Sequence, residues 1–155
     1  MITCVKAAFE FGNLYKNDSV MNNRDQAILA LRPEIPSAKV SLSMTSQEQF
    51  QNKTLRPIIK LQGDLLLQVF KNYIRKRKNT FYEMPLQKRI EFIQNAIQRD
   101  MKFRNGLKGI VIGQFTIEEY ALYIEDSSSL NKRMMNIVKE RLLSNIQLLE
   151  CELAY

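Results

Sequence analysis

The chain has 155 residues, of which 45% are apolar and 25% are charged, and its formal net charge is +7. This is the composition of a single globular domain. The chain contains no histidine, which excludes His-dependent serine and cysteine hydrolases and most zinc enzymes, and we expect neither a metal ion nor a cofactor.

Every hydrophobic stretch is shorter than the roughly 20 apolar residues needed to cross a bilayer. No secretory signal is evident at the N-terminus, so a cytoplasmic protein is the default expectation. Cys4 and Cys151 form no metal-binding or disulfide pattern, and we expect both to be free thiols.

Positive charge is concentrated in the middle third of the chain. Residues 53–108 carry 14 Lys and Arg against 4 Asp and Glu, a net charge of +10. Residues 109–155 carry 4 against 7, a net charge of −3, and residues 1–52 carry five of each sign. This asymmetry fits an ordinary solvated surface, or attraction to nucleic acid, anionic lipid or an acidic protein.

Residues 1–44 are predicted to form an irregular, partly mobile N-terminal arm, and Met21 is an alternative start of translation. Pro33 and Pro36 break any helix in this arm, and they bias the residues before them, such as Arg32, toward extended backbone.

Residues 45–155 are predicted to form a helical domain. Thr45 and Glu48 have the spacing of a capping box, which indicates a helix start. Pro57 either bends this helix or begins a new one. A broad apolar stripe over residues 58–74 predicts that the following helix is the central and most buried one.

Another helix is expected to open at Pro85, with apolar side chains at helical spacing: Leu86, Ile90, Ile93, Ile97 and Met101. The next stretch contains three glycines that indicate close backbone packing or a helix end: Gly106, Gly109 and Gly113. A buried strand over residues 109–113 is the alternative to a helix there.

Thr116 and Glu119 repeat the capping-box pattern, and Asp126 is one of several candidate N-caps for a long final helix. Together these elements predict an all-α fold, a bundle of four to five helices with an irregular N-terminal arm.

The densest positive patch lies at the end of the predicted central helix. Basic side chains at a helix C-terminus interact favourably with the helix dipole, and this is the simplest explanation of the run. The functional alternative is contact with phosphate groups of nucleic acid or another anion. The candidate residues for such a site are Arg75, Lys76, Arg77, Lys78, Lys102 and Lys108.

A second cluster is polar. Asp100 and Arg104 are one helical turn apart and are expected to form an ion pair at a surface or between helices. If buried, this pair needs further polar partners, and the network could then also hold a small polar ligand. The members of the predicted network are Arg99, Asp100, Arg104, Asn105, Gln114 and Asn131.

Residues 116–142 have the outline of a helix-turn-helix, with a small residue at Ala121 and a serine-rich turn after Asp126. The turn lacks glycine, and this third of the chain is negatively charged, so a DNA-binding helix pair is only an alternative interpretation.

Three segments resemble a small bacterial family of helical proteins whose members are often labelled glyoxalase: FQNKTLRPIIKLQ (50–62), IEFIQNAIQRDMKFRNGLKGIVIGQFTIEEY (90–120) and SSSLNKRMMNIVKERL (127–142). The resemblance covers roughly residues 21–150, implies an all-helical fold and supplies no site residues. The residues do not support the label, because glyoxalases use either histidine-containing metal sites or an activated cysteine at a strand-to-helix turn.

The leading functional hypothesis is a non-enzymatic interaction or assembly module that binds a protein partner or a second copy. The alternatives are nucleic-acid binding, through the basic middle third or through residues 116–142, and the lyase activity that the family label implies. The sequence identifies no pair of catalytic residues for an enzyme.

Overall fold

A computed structural model of the protein describes residues 22–150. Over this range 78% of the residues are helical and none is in a strand, which confirms the all-α prediction. No helix in the same range is long and apolar enough to cross a membrane. The expectations for residues 1–21 and for both cysteines concern parts of the chain outside the described residues.

The helices follow one another through short connections. In chain order they are α1 (Asn23–Leu31), α2 (Ser46–Phe50), a π-helix (Gln51–Leu55), α3 (Arg56–Leu61), α4 (Gly63–Lys76), a 3-10 helix (Thr80–Glu83), α5 (Leu86–Arg99), α6 (Met101–Ile112), α7 (Ile117–Glu125), α8 (Ser127–Ser144) and a second 3-10 helix (Ile146–Leu149).

These helices are shorter and more numerous than the four or five predicted. Single residues with non-helical backbone separate several of these helices. Asp100 has φ −86° and ψ 92° between α5 and α6, and Asp126 has φ −143° and ψ 54° between α7 and α8. Gln62, with φ −86° and ψ 6°, separates α3 from α4, and Gly63 follows it at a position where a Cβ would lie 2.7 Å from Nη2 of Arg141.

Both predicted capping boxes are confirmed. The backbone N–H of Thr45 donates to Glu48 at 2.9 Å, and the Glu48 N–H donates to the Thr45 hydroxyl oxygen. Thr116 and Glu119 repeat this exchange at the start of α7. Each capping box satisfies backbone N–H groups that have no partner inside the helix, so these helix starts were readable from the sequence.

Pro57 lies in the first turn of α3, which agrees with one of the two predicted arrangements. The turn before it is wider than an α-helical turn, because the Arg56 N–H donates to the carbonyl of Gln51, five residues back. A π-helical turn of this kind accommodates a proline, which has no N–H to donate and whose ring crowds a regular preceding turn.

The long helix α8 lies at the centre of the described bundle, and the segment 58–74, predicted to be one central and most buried helix, is heavily buried but divided between α3 and α4. Helix α8 packs against the π-helix and against α3, α4, α5, α6 and α7. Its buried side chains keep the predicted spacing: Leu130, Met134, Val138 and Leu142. In α4 the buried side chains are those of Leu66, Leu67, Phe70, Tyr73 and Ile74, whereas Leu65, which lies in the predicted stripe, is 48% exposed.

The outer ends of the predicted stripe along α5 are also exposed. Leu86 and Met101 lie largely in solvent, and Ile93 and Ile97 are buried. Residues 109–112 are helical, so the strand alternative is wrong. A Cβ at Gly106 or Gly109 would meet nothing within 4 Å, which rules out close backbone packing as the reason for these glycines.

The predicted irregular arm contains a helix. Asn22 caps α1 by accepting the Asp25 N–H at 2.8 Å. The helix ends at Arg32, which is extended before Pro33, as predicted, with φ −72° and ψ 128°. Residues 32–45 then pass over the surface without a regular helix, and the division of the chain into an arm and a helical domain at residue 45 stays a prediction.

Candidate functional site

The basic run at the end of α4 is exposed along its whole length, from Arg75 to Lys78. One member has a specific partner, since the Arg77 guanidinium lies 2.7 Å from Oδ2 of Asp100 and 3.8 Å from the centre of the Tyr73 ring. This pair fastens the end of α4 to the junction of α5 and α6, so the residues around 75–78 and 99–102 lie on one face.

Asp100 is the polar centre of this junction. It caps α6 by accepting the Phe103 N–H at 3.0 Å, and its other carboxylate oxygen accepts the Tyr73 hydroxyl at 3.3 Å. The Phe103 N–H and the Arg77 guanidinium hold the pKa of Asp100 below its usual value despite partial burial. Asp100 therefore pairs with Arg77 and not with Arg104, because it precedes α6 and Arg104 lies within that helix.

A cleft of about 500 Å³ opens beside this junction. Its walls combine aromatic and aliphatic side chains with two guanidinium groups. We call it the basic cleft, and its lining residues include Tyr73, Arg77, Phe92, Arg99, Asp100 and Met101.

The two remaining basic candidates are arranged differently. Lys102 is exposed and follows the cleft residue Met101 directly. Lys108 is six residues further along α6, which turns it about 240° around the helix axis from Lys102. The six predicted anion-binding residues therefore do not form one continuous patch, although five of them lie at the same end of the molecule.

The predicted polar network does not assemble among the described residues. Asn131 accepts the Tyr123 hydroxyl at 2.9 Å, and the backbone carbonyl of Gln114 accepts Nη2 of Arg32 at 2.7 Å. Nε of Arg104 is buried without a partner in residues 22–150, and Asn105 is exposed. Asp100 pairs with Arg77 at the junction of α5 and α6, whereas Gln114 and Asn131 contact residues elsewhere in the fold.

The helix pair over residues 116–142 exists, with α7 and α8 joined at Asp126. The second helix is part of the core from its first turn, where Leu130 is 3% exposed and Met134 is fully buried. Insertion of such a helix into a DNA groove would leave only its outer side, including Ser128 and Lys132, for base contacts.

A buried ion pair, absent from the sequence-based site, fixes the position of α7. Arg32 and Glu119 form a bidentate pair, and their side chains are 7% and 12% exposed. The Thr54 hydroxyl donates to the same carboxylate at 2.9 Å. Burial opposes the charge of Glu119, but the hydrogen bonds from Arg32, the backbone and Thr54 together hold its pKa below the usual value.

Further polar contacts join α1 to the start of α7. The Ile117 N–H donates to the Asp25 carboxylate at 3.0 Å, and Arg24 donates to the carbonyl of Phe115 at 3.0 Å. The buried residue of α1 is Asp25, whereas Leu31 in the same helix is 64% exposed. Polar groups therefore attach both helices to the bundle, and apolar side chains of both are left in solvent.

Most residues of α7 are exposed, including Leu122, and four of the exposed residues form a regular stripe. Ile117, Tyr120, Ala121 and Ile124 occupy positions i, i+3, i+4 and i+7, and the three large ones are 44%, 49% and 58% exposed. This spacing normally marks the buried face of a surface helix. We call these four residues the α7 stripe, and the exposed carboxylates of Glu118 and Glu125 lie on the same helix.

Comparison of the chain with protein-family models, with curated proteins and with solved structures finds no match.

Proposed function

We propose that this protein is an assembly module whose copies associate head to tail, with the α7 stripe of one copy seated in the basic cleft of the next. The observation that carries the proposal is the exposure of the α7 stripe on a helix that buried charges hold in place. An apolar patch with a polar rim on a soluble protein is typical of an interaction surface.

The anchoring of α7 supports this interpretation. A surface helix usually packs on the core through its apolar face. An α7 helix without its buried ion pair would therefore be expected to turn the α7 stripe toward the core. Here Glu119, on another side of α7, pairs with Arg32, and Tyr123 supplies the buried contact with the core. The fold therefore holds the stripe outward at a cost in exposed apolar area, which association with another molecule would recover.

Charge favours a second copy as the partner. The α7 helix exposes Glu118 and Glu125 and carries no basic residue, whereas the basic cleft is lined by Arg99 and by Arg77, which is paired with the cleft carboxylate of Asp100. A symmetric contact between two α7 helices would bring like charges together, which is unfavourable. A contact between α7 and the basic cleft pairs opposite charges and matches apolar with aromatic side chains.

The two surfaces lie at opposite ends of α6. The cleft includes Met101 at the first residue of α6, and α7 begins at Ile117, shortly after α6 ends at Ile112. Twelve helical residues span about 18 Å, so both surfaces of one molecule can be occupied at once. Such a heterologous contact builds a ring or an open chain of subunits.

Sedimentation velocity over a wide range of protein concentration tests the proposal. We expect the mean sedimentation coefficient to rise with concentration and to fall when salt is added, because charge pairing contributes to the contact. Replacing Ile124 by Lys should abolish the rise, whereas the same change at Leu148, an exposed residue outside both surfaces, should leave it intact. A wild-type protein that stays monomeric at every concentration would contradict the proposal.

A second candidate function is nucleic-acid binding at the basic end. The ion pair between Arg77 and Asp100 favours it, because the pair draws the run 75–78 toward Lys102. Phosphate contacts would make the affinity fall steeply with salt. A titration with DNA at two salt concentrations tests this, and the absence of binding at low salt would exclude it.

A further inference from the structure

A groove separate from the surfaces described above lies between the π-helix and α8. Its volume is about 450 Å³. Neither the α7 stripe nor the basic cleft contributes a residue to it. The groove is lined by Gln51, Arg56, Ser129, Lys132, Arg133, Asn136, Ile137 and Glu140.

The groove has an excess of positive charge. Arg56, Lys132 and Arg133 contribute three cations, and Glu140 contributes the one carboxylate among the lining residues. None of these four groups forms an ion pair within residues 22–150. The lining residues therefore sum to a net charge of +2, which matches the charge of a phosphate monoester near neutral pH, and the carboxylate of Glu48 lies near enough to Arg133 to interact with it.

The π-helix gives the groove its first wall. Residues five apart in an α-helix are separated by about 140° around the axis. The hydrogen bond from the Arg56 N–H to the Gln51 carbonyl closes a five-residue turn and brings these two residues to the same side. Single π-helical turns often occur at functional sites. The wider turn thus places the Arg56 and Gln51 side chains together on the groove.

The second wall comes from the outer side of α8. Arg133 donates from Nη1 to Oε1 of Gln51 at 2.8 Å, which holds its guanidinium across the groove from the π-helix. Three further side chains of α8 follow one another at spacings of one helical turn, those of Ser129, Lys132 and Asn136. They add a hydroxyl, an ammonium and an amide group to the groove.

One arginine that lines the groove has a buried donor atom without a partner among the described residues. Four arginine Nε atoms are buried and unpaired within residues 22–150, those of Arg32, Arg56, Arg104 and Arg141. Of these arginines, Arg56 lines the groove. A buried N–H without an acceptor costs free energy, and an anion bound against the Arg56 guanidinium would satisfy this one if it reaches Nε.

We propose that this groove binds a small phosphorylated compound that also carries hydroxyl groups. The phosphate dianion pairs with Arg56, Lys132 and Arg133, for which guanidinium and ammonium donors are suited. The Glu140 carboxylate accepts a hydrogen bond from a hydroxyl group of the same ligand. This contact distinguishes the proposed ligand from an inorganic anion. The groove volume of about 450 Å³ suits a small compound, whereas a polynucleotide needs an extended basic track.

A titration of the isotope-labelled full chain with inorganic pyrophosphate, followed by two-dimensional NMR, tests the proposal. The Nε–H signal of Arg56 should shift and saturate, and sodium chloride at equal ionic strength should not reproduce the shift. Lys132→Gln combined with Arg133→Gln should weaken the binding about tenfold or more, since each removes a charge-assisted hydrogen bond. Lys102→Gln, the same change at the basic end, should leave the affinity within about twofold of wild type.

Glu140→Gln supplies a test of opposite sign. Removing the carboxylate should tighten pyrophosphate binding, because it removes repulsion from the groove, without altering the fold. Retained backbone signals in each variant establish that it is folded. An Arg56 signal that does not move, equal binding by the double variant and wild type, or binding of a polynucleotide but not pyrophosphate would each overturn the proposal.

Discussion

Arg32 and Glu119 determine, at the scale of single residues, where α7 lies. They are 87 residues apart in the chain, and their bidentate pair is almost completely buried. A buried pair of this kind contributes specificity of position more than stability, because desolvation offsets much of the attraction. Loss of one partner leaves the other charge uncompensated, and that loss is costly.

We therefore expect Glu119→Gln to lower the free energy of unfolding by about 3 kcal/mol. Glutamine keeps the shape of glutamate and can still complete the capping box. The decrease in the free energy of unfolding therefore measures the effect of removing the carboxylate charge. Urea unfolding measures the effect. Glu118→Gln is the matched control at an exposed neighbour and should change the stability by less than about 0.5 kcal/mol. Equal effects of the two substitutions would contradict the assigned role.

The same pair should make stability depend on pH. The pKa of Glu119 is lower in the folded protein than the unfolded value of about 4.3. Its contribution is complete above the unfolded pKa and is lost as the pH falls through the folded pKa. The difference in stability between wild type and Glu119→Gln should thus shrink between about pH 6 and pH 3. A constant difference over this range would show that the carboxylate charge is not responsible.

Sequence reasoning identified Asp100 as polar and important but chose the wrong partner for it. The spacing to Arg104 suggested a pair within one helix, and the actual partner, Arg77, comes from α4. The contact between Arg32 and Glu119 could not be derived at all, because nothing local in the chain relates two residues that far apart. Ion pairs between distant elements depend on the packing that the single sequence does not reveal.

At the scale of helices, the sequence signals that act within a few residues were reliable. The capping boxes at Thr45 and Thr116 predicted two helix starts, because their hydrogen bonds involve four consecutive residues. The break at Asp100 depends on the dihedral angles of one residue, and the predicted apolar stripe continues through it, whereas the break at Asp126 agrees with the predicted helix N-cap there. Helix number was for this reason underestimated, although helix type was correct.

The glycines of α6 give a prediction at this scale. Gly106 lies inside the helix with open space around it, so Gly106→Ala should raise the free energy of unfolding by about 0.5–1 kcal/mol. Gly113 is the matched control, because a Cβ there would lie 3.1 Å from the Gly109 carbonyl oxygen at the end of the helix. Thermal unfolding should show a gain for Gly106→Ala and none for Gly113→Ala. A loss at Gly106 would mean that a packing contact requires the glycine.

Two complementary surfaces lie at the ends of α6 when the molecule is considered as a whole. The apolar spacing of the α7 stripe is visible in the sequence, but a stripe of that kind predicts burial, and its orientation depends on Arg32. The positive charge of residues 53–108 was likewise visible, and the fold divides it between the basic cleft, the groove beside the π-helix and isolated surface residues. The distribution of charged residues along the sequence predicted the asymmetry of charge. The packing of the helices determines which surface each charged side chain lies on.

Mixing two association-defective variants tests head-to-tail assembly most directly. One variant carries Ile124→Lys in the α7 stripe, and the other carries Arg99→Glu with Lys102→Glu at the basic cleft. Each variant alone should be monomeric, because all of its copies lack the same surface. An equimolar mixture should form a dimer and stop there, since the intact cleft of the first variant accepts the intact stripe of the second. Sedimentation velocity that shows only monomers in the mixture, while the wild type associates, would contradict the head-to-tail contact.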